Sequence, residues 1–261
     1  MNIELNLSNK AELFTGLFQH IKSFTDTINI MFTDERMYVQ CMDGARVSIM
    51  EICLPAEWFD SYNIQHPTTI GISSTMFFKI LNSREKSQSL RIELKSEDSD
   101  QLGLHMISES KTEFDKHFEI PLMSLDSETM EIPDKDYQAE ITLSSTNFSG
   151  IVNQLKMFGD TMVFHCSEEK IMLESTSKDQ GKMFVEISID DISSFAINEG
   201  DKLELSYSLT YLHNICLYNK LTKEVELKIA EDFPMMIKYD LGMENAYLRV
   251  FLAPKINDDD E

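Results

Sequence analysis

Hydrophobic and polar residues alternate along most of this chain, as they do in β-strands that bury one face and expose the other. The alternation is clear in residues 37–41, 47–52, 224–229 and 246–250, and turn-forming residues bound these stretches. Four longer segments depart from it and have apolar residues at helical spacing. These segments are residues 9–24, 68–84, 141–159 and 205–222.

Each of the four segments contains polar residues that can accept a hydrogen bond from the first backbone N–H groups of a helix. The sequence therefore predicts a strand, a helix and several further strands, repeated four times at intervals of roughly 65 residues. We expect an α+β fold in which most of the chain is sheet. The predicted capping residues are Ser8, Asn9, Ser73, Ser74, Thr75, Ser144, Ser145, Thr146, Ser208 and Thr210.

Charge is distributed unevenly between these segments and the rest of the chain. The whole sequence has 45 acidic residues against 23 Lys and Arg, a formal net charge of −22. The four segments together contain one acidic residue, Glu12, and six basic ones. Burial of the helices would also exclude charge, but their polar faces have amides and lysines, which suit a wet surface facing an anion. We interpret the four helices as the lining of a groove or channel for a polyanion.

The composition is that of a folded protein. The 261 residues, 42% of them hydrophobic, are enough for one large or two medium cores. The first residues lack the basic flank and apolar stretch of a signal peptide, and no apolar run approaches the roughly 20 residues that span a bilayer. Cys41, Cys53, Cys166 and Cys216 have no CxxC spacing, so we expect reduced thiols in the core of a soluble intracellular protein.

No pattern in the sequence predicts catalysis or a cofactor. The six histidines form no HExxH motif and do not pair with cysteines at metal-ligand spacing, and the glycine motifs of phosphate loops and nucleophile elbows are missing. The many carboxylates are typical of a solvated acidic surface, whereas a metal-dependent nuclease would need them on the face that contacts its polyanion. We therefore expect a non-enzymatic protein with no cofactor and no metal.

Several short motifs, in order along the chain, resemble those of the proliferating cell nuclear antigen family of DNA sliding clamps. Residues 41–49, Cys-Met-Asp-Gly-Ala-Arg-Val-Ser-Ile, resemble the family segment that begins a surface pocket. Residues 132–137 resemble the end of the interdomain linker, and Asp232 and Pro234 match an Asp-x-Pro motif. Residues 251–256, followed by acidic residues, are close to the family C-terminus.

The resemblance implies two clamp domains of similar topology, each with two helices on the inner face of curved antiparallel sheets. The expected boundaries are residues 1–120 for the N-terminal domain, 121–136 for the linker, 137–254 for the C-terminal domain and 255–261 for an acidic tail. Three chains would close head to tail into a ring around duplex DNA and act as a DNA polymerase processivity factor. Phosphate contacts carry no sequence information, and in a closed ring they can be few and weak.

The helices have seven basic side chains that we assign to the DNA-facing side. The channel is expected to be less basic than usual, because six positions where relatives commonly have basic or histidine side chains are occupied by Phe14, Thr15, Asn82, Asn153, Met157 and Thr210. Glu168 occupies a position where relatives commonly have a modifiable lysine, with Lys170 nearby. The residues assigned to DNA are Lys10, His20, Lys22, Lys79, Arg84, Lys156 and Lys220.

Family members bind a short partner peptide whose glutamine, aliphatic residue and two aromatics lie on one helical turn. Its apolar anchors enter a pocket, and its flanking residues add to the linker edge as a strand. Methionines suit a pocket that accepts many sequences, although ordinary core packing is the alternative for the same residues. The residues at matching positions are Met42, Arg46, Val47, Ile49, Met130, Ile132, Pro234, Phe251, Leu252, Ala253 and Pro254, with Arg46 at the rim.

The resemblance places the joint between subunits at two strands, near residues 111–118 of one chain and 177–185 of the next. Pairing of these strands in a closed ring would cover backbone groups that an isolated chain leaves unpaired. Protected edge strands of a monomer are the alternative. The expected contact residues are Phe118, Lys182 and Phe184.

The implied partners are duplex DNA, two further copies of the chain, a clamp loader, DNA polymerase and repair proteins that have clamp-interacting peptides, with no membrane. The resemblance implies a nuclear location, or a viral replication site for a large-DNA-virus version. Two other non-enzymatic interpretations stay open. A checkpoint-type heterotrimeric clamp would form no self-trimer, and an acidic scaffold or DNA mimic would explain the charge but not the nearly acid-free helices.

Overall fold

The structure is a computed structural model that describes residues 1–6, 8–96, 98–108, 113–125, 129–133 and 135–255. Four predicted features lie at least partly outside these residues: the side chain of the capping residue Ser8, the start of the edge strand near Lys111, Asp134 of the linker motif, and most of the acidic tail. The chain divides into two compact units. Unit 1 comprises Met1–Gly44, Met50–Met130 and Gly242–Leu248, and unit 2 comprises Ala45–Ile49, Glu131–Leu241 and Arg249–Glu261.

The first half of the chain forms two helices and nine strands within its described residues. The helices are α1 (Ser8–Gln19) and α2 (Ser74–Leu81). The strands are β1 (Asn2–Leu5), β2 (Thr27–Phe32), β3 (Arg36–Met42), β4 (Ser48–Pro55), β5 (Ser61–Asn63), β6 (Thr68–Ser73), β7 (Gln88–Glu93), β8 (Gln101–Ser108) and β9 (Lys116–Pro121).

The second half has the same number of elements in its described part. The helices are α3 (Ser145–Leu155) and α4 (Leu209–Cys216). The strands are β10 (Ala139–Ser144), β11 (Thr161–Cys166), β12 (Ile171–Ser177), β13 (Gly181–Ile187), β14 (Ser194–Ile197), β15 (Leu203–Ser208), β16 (Glu224–Ala230), β17 (Phe233–Asp240) and β18 (Tyr247–Leu252).

The two halves have the same strand topology. In the first half the strand orders are β5-β1-β7-β8-β9 and β4-β3-β2-β6, and in the second they are β14-β10-β16-β17-β18 and β13-β12-β11-β15. Each strand of the second half therefore takes the place of the strand nine numbers earlier. Pairs such as β1–β7 and β10–β16 are antiparallel. The α+β fold with two topologically similar domains is confirmed.

The predicted repeat is also confirmed, because the four helices begin at residues 8, 74, 145 and 209. The helices are shorter than the four predicted segments, and three of these segments begin within strands β6, β10 and β15. Strand β6 shows why: it pairs residue by residue with β2, from Thr27 opposite Ser73 to Phe32 opposite Thr68. Its threonines and isoleucines are β-branched and favour an extended backbone.

The capping predictions have mixed outcomes. The hydroxyls of Ser73 and Ser144 accept hydrogen bonds from the backbone N–H groups of Met76 and Asn147, both at 3.3 Å, so these caps are confirmed. Ser208 makes no capping hydrogen bond through its side chain, and that prediction was wrong. The backbone N–H of Leu209, the first residue of α4, donates to the carbonyl oxygen of Asp160.

Each unit has its own apolar core beneath its pair of helices. In unit 1, α1 packs on α2 through Phe18 and Phe77, whose rings meet edge to face with centroids 4.8 Å apart. In unit 2, the buried hydroxyl of Tyr239 on β17 donates to the carbonyl oxygen of Ile215 on α4. All four cysteines are buried free thiols, as predicted. None of the described helices is long and apolar enough to span a membrane.

Candidate nucleic-acid and partner interfaces

The basic residues assigned to DNA in unit 1 fall into two groups. Lys22 and Lys79 are exposed, and His20 is partly exposed at the end of α1. Lys10 is held by an ion pair, because its Nζ lies 3.3 Å from Oδ1 of Asp60. Charge that a carboxylate already neutralises attracts phosphate weakly.

Arg84 is the second member of the set with partners inside the chain. Its Nη1 donates hydrogen bonds to the carbonyl oxygens of Glu85 at 3.0 Å and Gln88 at 2.7 Å, which closes the turn between α2 and β7. Partial burial lowers the pKa of its guanidinium, although arginine remains charged near neutral pH. The structure therefore gives Arg84 a role in the turn that its sequence position did not predict.

In unit 2, Lys220 is exposed and Lys156, the residue that ends α3, is partly exposed. Beside them, Nδ1 of His213 on α4 lies 2.6 Å from Oδ1 of Asn153 on α3, so a polar contact joins the two helices. Burial, and then the charge of Lys156, lower the pKa of His213. This histidine is therefore neutral at pH 7 and adds no charge to the surface.

Acidic residues are nearly missing from the helices. Glu12 is the only one in α1 to α4, and its Oε1 lies 3.8 Å from Nζ of Lys86. Three uncharged amides, Gln19, Asn82 and Asn153, are exposed, each three residues from a lysine. Each helix pair therefore presents a neutral to weakly basic surface in a chain with a net charge of −22.

Most of the predicted pocket residues in unit 2 are apolar and partly exposed. The backbone N–H of Ala253 donates to the carbonyl oxygen of Val47 at 3.0 Å, which joins the residues after β18 to the segment before β4. Phe251 is 5% exposed and Leu252 is fully buried, so both belong to the core beneath the surface. Six predicted pocket residues of unit 2 are partly exposed: Val47, Ile49, Ile132, Pro234, Ala253 and Pro254.

The predicted pocket residues of unit 1 are Met42, which is partly exposed, and Met130, which is 43% exposed. A glutamine holds the second of them in place. Nε2 of Gln40 donates to the carbonyl oxygen of Met130 at 2.9 Å, and the N–H of Met130 donates to Oε1 of Gln40 at 2.7 Å. The amide of Gln40 therefore satisfies the backbone of Met130 as a neighbouring strand would. The sequence alone did not indicate this role of Gln40.

Arg46, the predicted rim residue, is exposed and has a backbone φ of 60°. This left-handed backbone conformation is uncommon for residues other than glycine. It lies in the turn that connects β3 to β4. Further along unit 2, Nζ of Lys135 lies 2.9 Å from Oδ2 of Asp232, so the linker motif and the Asp-x-Pro motif are joined. The pKa of Asp232 is lowered by its hydrogen bond with Lys135.

Two family models together match nearly the whole chain. The model of the "Proliferating cell nuclear antigen, N-terminal domain" matches residues 2–130, and that of the "Proliferating cell nuclear antigen, C-terminal domain" matches residues 131–256. The chain belongs to the proliferating cell nuclear antigen family. The predicted family is thereby confirmed, and with it a family of non-enzymatic DNA sliding clamps.

Two relatives show how far this chain diverges within the proliferating cell nuclear antigen family. It is 27% identical over 256 residues to the proliferating cell nuclear antigen of Chaetomium thermophilum, a match that covers 96% of this chain and 97% of that protein. It is 23% identical over 255 residues to the proliferating cell nuclear antigen of Saccharomyces cerevisiae, with the same coverage of each.

The residues that the family resemblance assigns to a subunit joint lie on outer strands of two sheets. Phe118 is partly exposed on β9, at one edge of its five-stranded sheet. Phe184 is 58% exposed on β13, at one edge of the four-stranded sheet of unit 2. On the same strand, Nζ of Lys182 lies 2.7 Å from Oε2 of Glu174. Each unit therefore has an outer strand with an accessible aromatic residue.

Proposed function

We propose that this chain is the subunit of a homotrimeric sliding clamp that encircles duplex DNA and tethers replication and repair proteins to it. The observation that carries the proposal is the exclusion of acid from the helices, where Glu12 stands alone although the chain has a net charge of −22. Carboxylates repel phosphate, so a surface cleared of them suits a polyanion. Membership of a family of sliding clamps supports the same conclusion.

The proposed DNA contacts are few and weak. Lys22, Lys79, Lys156 and Lys220 are at least partly exposed and would contact phosphates without reading sequence. Of the other assigned residues, His20 would add a polar contact, whereas Lys10 and Arg84 would act mainly through their contacts within the chain. A closed ring stays on DNA because of its topology, so strong binding is unnecessary and would slow sliding.

The proposed ring closes head to tail through the outer strands of neighbouring subunits. Strand β9 of one subunit would pair with β13 of the next, and Phe118, Lys182 and Phe184 would lie at the joint. A heterologous contact of this kind forms a closed ring when its rotation is right, and closure protects strands that would otherwise recruit other chains. In this proposal the domains are residues 1–120 and 137–254, with the linker at 121–136 and the acidic tail at 255–261.

Retention on DNA of different topology tests the function. The chain is loaded by a clamp loader with ATP onto nicked circular DNA, and the DNA is then linearised in half of the sample. We expect the chain to remain on circles and to slide off linear ends. Equal retention on both forms would contradict the proposal, because it would indicate binding by affinity alone.

A charge-reversal variant tests the proposed DNA-facing side in the same assay. The double variant Lys22→Glu/Lys79→Glu should lower the amount of protein loaded onto DNA several-fold. It introduces two carboxylates, which repel phosphate, on a surface that has almost no acidic residues. The matched control is Lys170→Glu, which reverses an exposed lysine between β11 and β12, away from the residues assigned to DNA and to the subunit joint. The assignment of this side to DNA would be wrong if both variants loaded equally well.

We also propose that Met42, Val47, Ile49, Met130, Ile132, Pro234, Ala253 and Pro254 form the partner-peptide pocket, with Phe251 and Leu252 beneath it and Arg46 at its rim. Partial exposure of the first eight supports this role. Calorimetry with a synthetic peptide of the family type should show at least about a tenfold loss for Met42→Ala or Ile132→Ala. Met76→Ala, which removes an exposed methionine from α2, is the control. Equal affinities for all of the proteins would remove the pocket from consideration.

The proposed partners are DNA polymerase, a clamp loader and other proteins that have clamp-interacting peptides, and the proposed location is the nucleus. We assign no catalytic activity and no cofactor to the chain. Sedimentation at micromolar concentration separates this proposal from the other interpretations. A particle of about three times 30.1 kDa is expected, whereas a lone monomer would favour a heterotrimeric clamp or an acidic scaffold.

A further inference from the structure

Two histidines face each other on the outer part of the five-stranded sheet of unit 1. His105 on β8 and His117 on β9 are directly opposite in the antiparallel register. Their Nδ1 atoms are 2.9 Å apart, and their ring centroids are 5.1 Å apart. The ring of His105 is 17% exposed and that of His117 is more open to solvent. Neither residue is assigned to DNA or peptide contacts. His117 lies on β9, the strand of the expected subunit joint, but its side chain and that of its neighbour Phe118 point to opposite faces of the sheet.

A carboxylate and a glycine hold the His105 ring in position. Nε2 of His105 lies 3.4 Å from Oε2 of Glu93 on β7, so the ring proton belongs on Nε2 and the Nδ1 lone pair is directed towards His117. A Cβ atom at Gly103 would lie 3.0 Å from Nε2 of His105, so the glycine leaves the space that the ring occupies. A carboxylate on the far nitrogen is the usual companion of a histidine that binds a metal ion.

The separation of the two nitrogens matches a particular coordination geometry. Two nitrogens about 2.0–2.1 Å from one ion are about 2.9 Å apart at an angle of about 90°, and about 3.4 Å apart at the tetrahedral angle. An angle of 90° is that of adjacent ligands in the tetragonal and square-planar sites of Cu²⁺ and Ni²⁺. The observed 2.9 Å is the separation of the hydrogen-bonded pair before an ion binds, and it equals the 90° value, so binding of these ions requires the rings to rotate but not to move apart as Zn²⁺ would require.

The charges around the pair permit a cation to bind. Two basic residues close to Glu93 in the sequence already have carboxylate partners: Nε of Arg91 lies 2.8 Å from Oε1 of Glu4, and Nζ of Lys95 lies 2.8 Å from Oε1 of Glu119. Repulsion of an incoming cation by these groups is thereby reduced. The carboxylate of Glu93 remains beside His105 as the local negative charge.

We propose that His105 and His117 form a two-histidine chelating site for Cu²⁺, with water completing the coordination and Glu93 and Gly103 positioning the first ring. Within the described residues no group of three His, Cys, Asp or Glu side chains is placed to hold an ion, so the protein supplies two ligands. Before binding, Nδ1–H of His117 donates to Nδ1 of His105. Transfer of that proton through solvent to Nε2 of His117 leaves both Nδ1 lone pairs for the metal.

Titration of the full chain with CuCl₂, followed by calorimetry and electron paramagnetic resonance, tests this site. We expect the wild type to bind one ion per chain with nitrogen hyperfine structure from two imidazoles. His105→Ala and His117→Ala should each weaken binding at least about tenfold, and Glu93→Gln should weaken it about tenfold through the loss of its positioning contact. His66→Ala, which removes an exposed histidine elsewhere in unit 1, should bind as the wild type does.

Thermal denaturation with and without Cu²⁺ provides a second readout, in which each variant without the ion is its own reference. Cu²⁺ should raise the melting temperature of the wild type, because an ion that binds only the folded chain stabilises it. The same ion should leave the melting temperature of His117→Gln unchanged. Wild-type stoichiometry and affinity in the His105→Ala/His117→Ala double variant would overturn the proposal, since the ion would then bind elsewhere.

Discussion

At the scale of single residues, burial decides the chemistry of the cysteines. Burial raises the pKa of Cys41 to about 12, with a further contribution from the charge of Asp43, and it raises the pKa of Cys216 to about 12 and that of Cys166 to about 11. The pKa of Cys53 is also raised by burial. A pH of 8 is below the pKa values of these thiols, so they are protonated. Because the thiolate is the reactive form, the native thiols are unreactive.

We therefore expect the native chain to react very slowly with a disulfide reagent such as dithionitrobenzoate at pH 8. The same chain in guanidinium chloride should release four equivalents of chromophore rapidly, because unfolding returns the thiols to an ordinary pKa in water. Rapid reaction of one thiol in the native chain would show that its burial is incomplete.

Gln40 gives a second prediction at this scale. Its amide makes hydrogen bonds with both backbone groups of Met130, a residue 90 positions away, and so fixes the middle of the linker on β3. Gln40→Leu keeps most of the side-chain volume but leaves the N–H and carbonyl of Met130 without these partners. We expect a loss of about 1–3 kcal/mol in unfolding free energy and faster hydrogen exchange near residue 130.

Gln154→Leu is the matched control, since Gln154 is exposed on α3 and its replacement should change the unfolding free energy by less than about 0.5 kcal/mol. Unchanged exchange near residue 130 in Gln40→Leu would show that other contacts fix the linker there. A role of the linker in peptide binding would appear as a parallel loss of peptide affinity in Gln40→Leu alone.

At the scale of elements, the sequence predicts what local chemistry determines. The four helices and their repeat follow from hydrophobic spacing and from serines that cap α2 and α3. The strands before the caps were included in the helical segments because their extended form depends on partners, as β6 depends on β2. Contacts such as Gln40 with Met130, or His105 with His117, have no local signal because the fold brings distant residues together.

Gly71 on β6 is another such position, and it controls where the linker begins to pack. The N–H of Met123 donates to the carbonyl oxygen of Gly71 at 2.8 Å, and Nδ2 of Asn29 donates to the carbonyl oxygen of Leu125. A Cβ atom at Gly71 would overlap the carbonyl oxygen of Met123 and lie 2.9 Å from Cγ of Leu125. Backbone atoms cannot move aside as readily as the end of a flexible side chain.

Gly71→Ala should therefore displace residues 123–125 and lower the unfolding free energy by about 1–3 kcal/mol. Gly150→Ala is the opposite control, because Gly150 lies in α3 with open space around its Cβ position. That variant should gain about 0.5–1 kcal/mol from helix propensity. Chemical denaturation of both variants measures the difference, and equal stabilities would mean that the linker does not pack tightly on Gly71.

At the scale of the whole molecule, the proposed ring requires a chain that folds by itself and still has apolar surface for its neighbours. Phe184 is an example of such apolar surface, since its side chain is 58% exposed on an outer strand. Replacing it should leave the isolated chain nearly unchanged in stability, within about 0.5 kcal/mol. Burial of an aromatic side chain at a joint contributes about 2–3 kcal/mol, and a ring of three subunits contains three joints.

Phe184→Ser should therefore shift the sedimentation profile from trimer to monomer at micromolar concentration, with an unchanged melting profile for the monomer. Met157→Ser removes a comparably exposed apolar side chain, 62% exposed and near the end of α3, so it serves as the control. It should sediment as the wild type does, because α3 is assigned to the DNA-facing side. If both variants remained trimeric, the joint would lie away from β13, and if the wild type were itself monomeric, the ring would need a different partner chain.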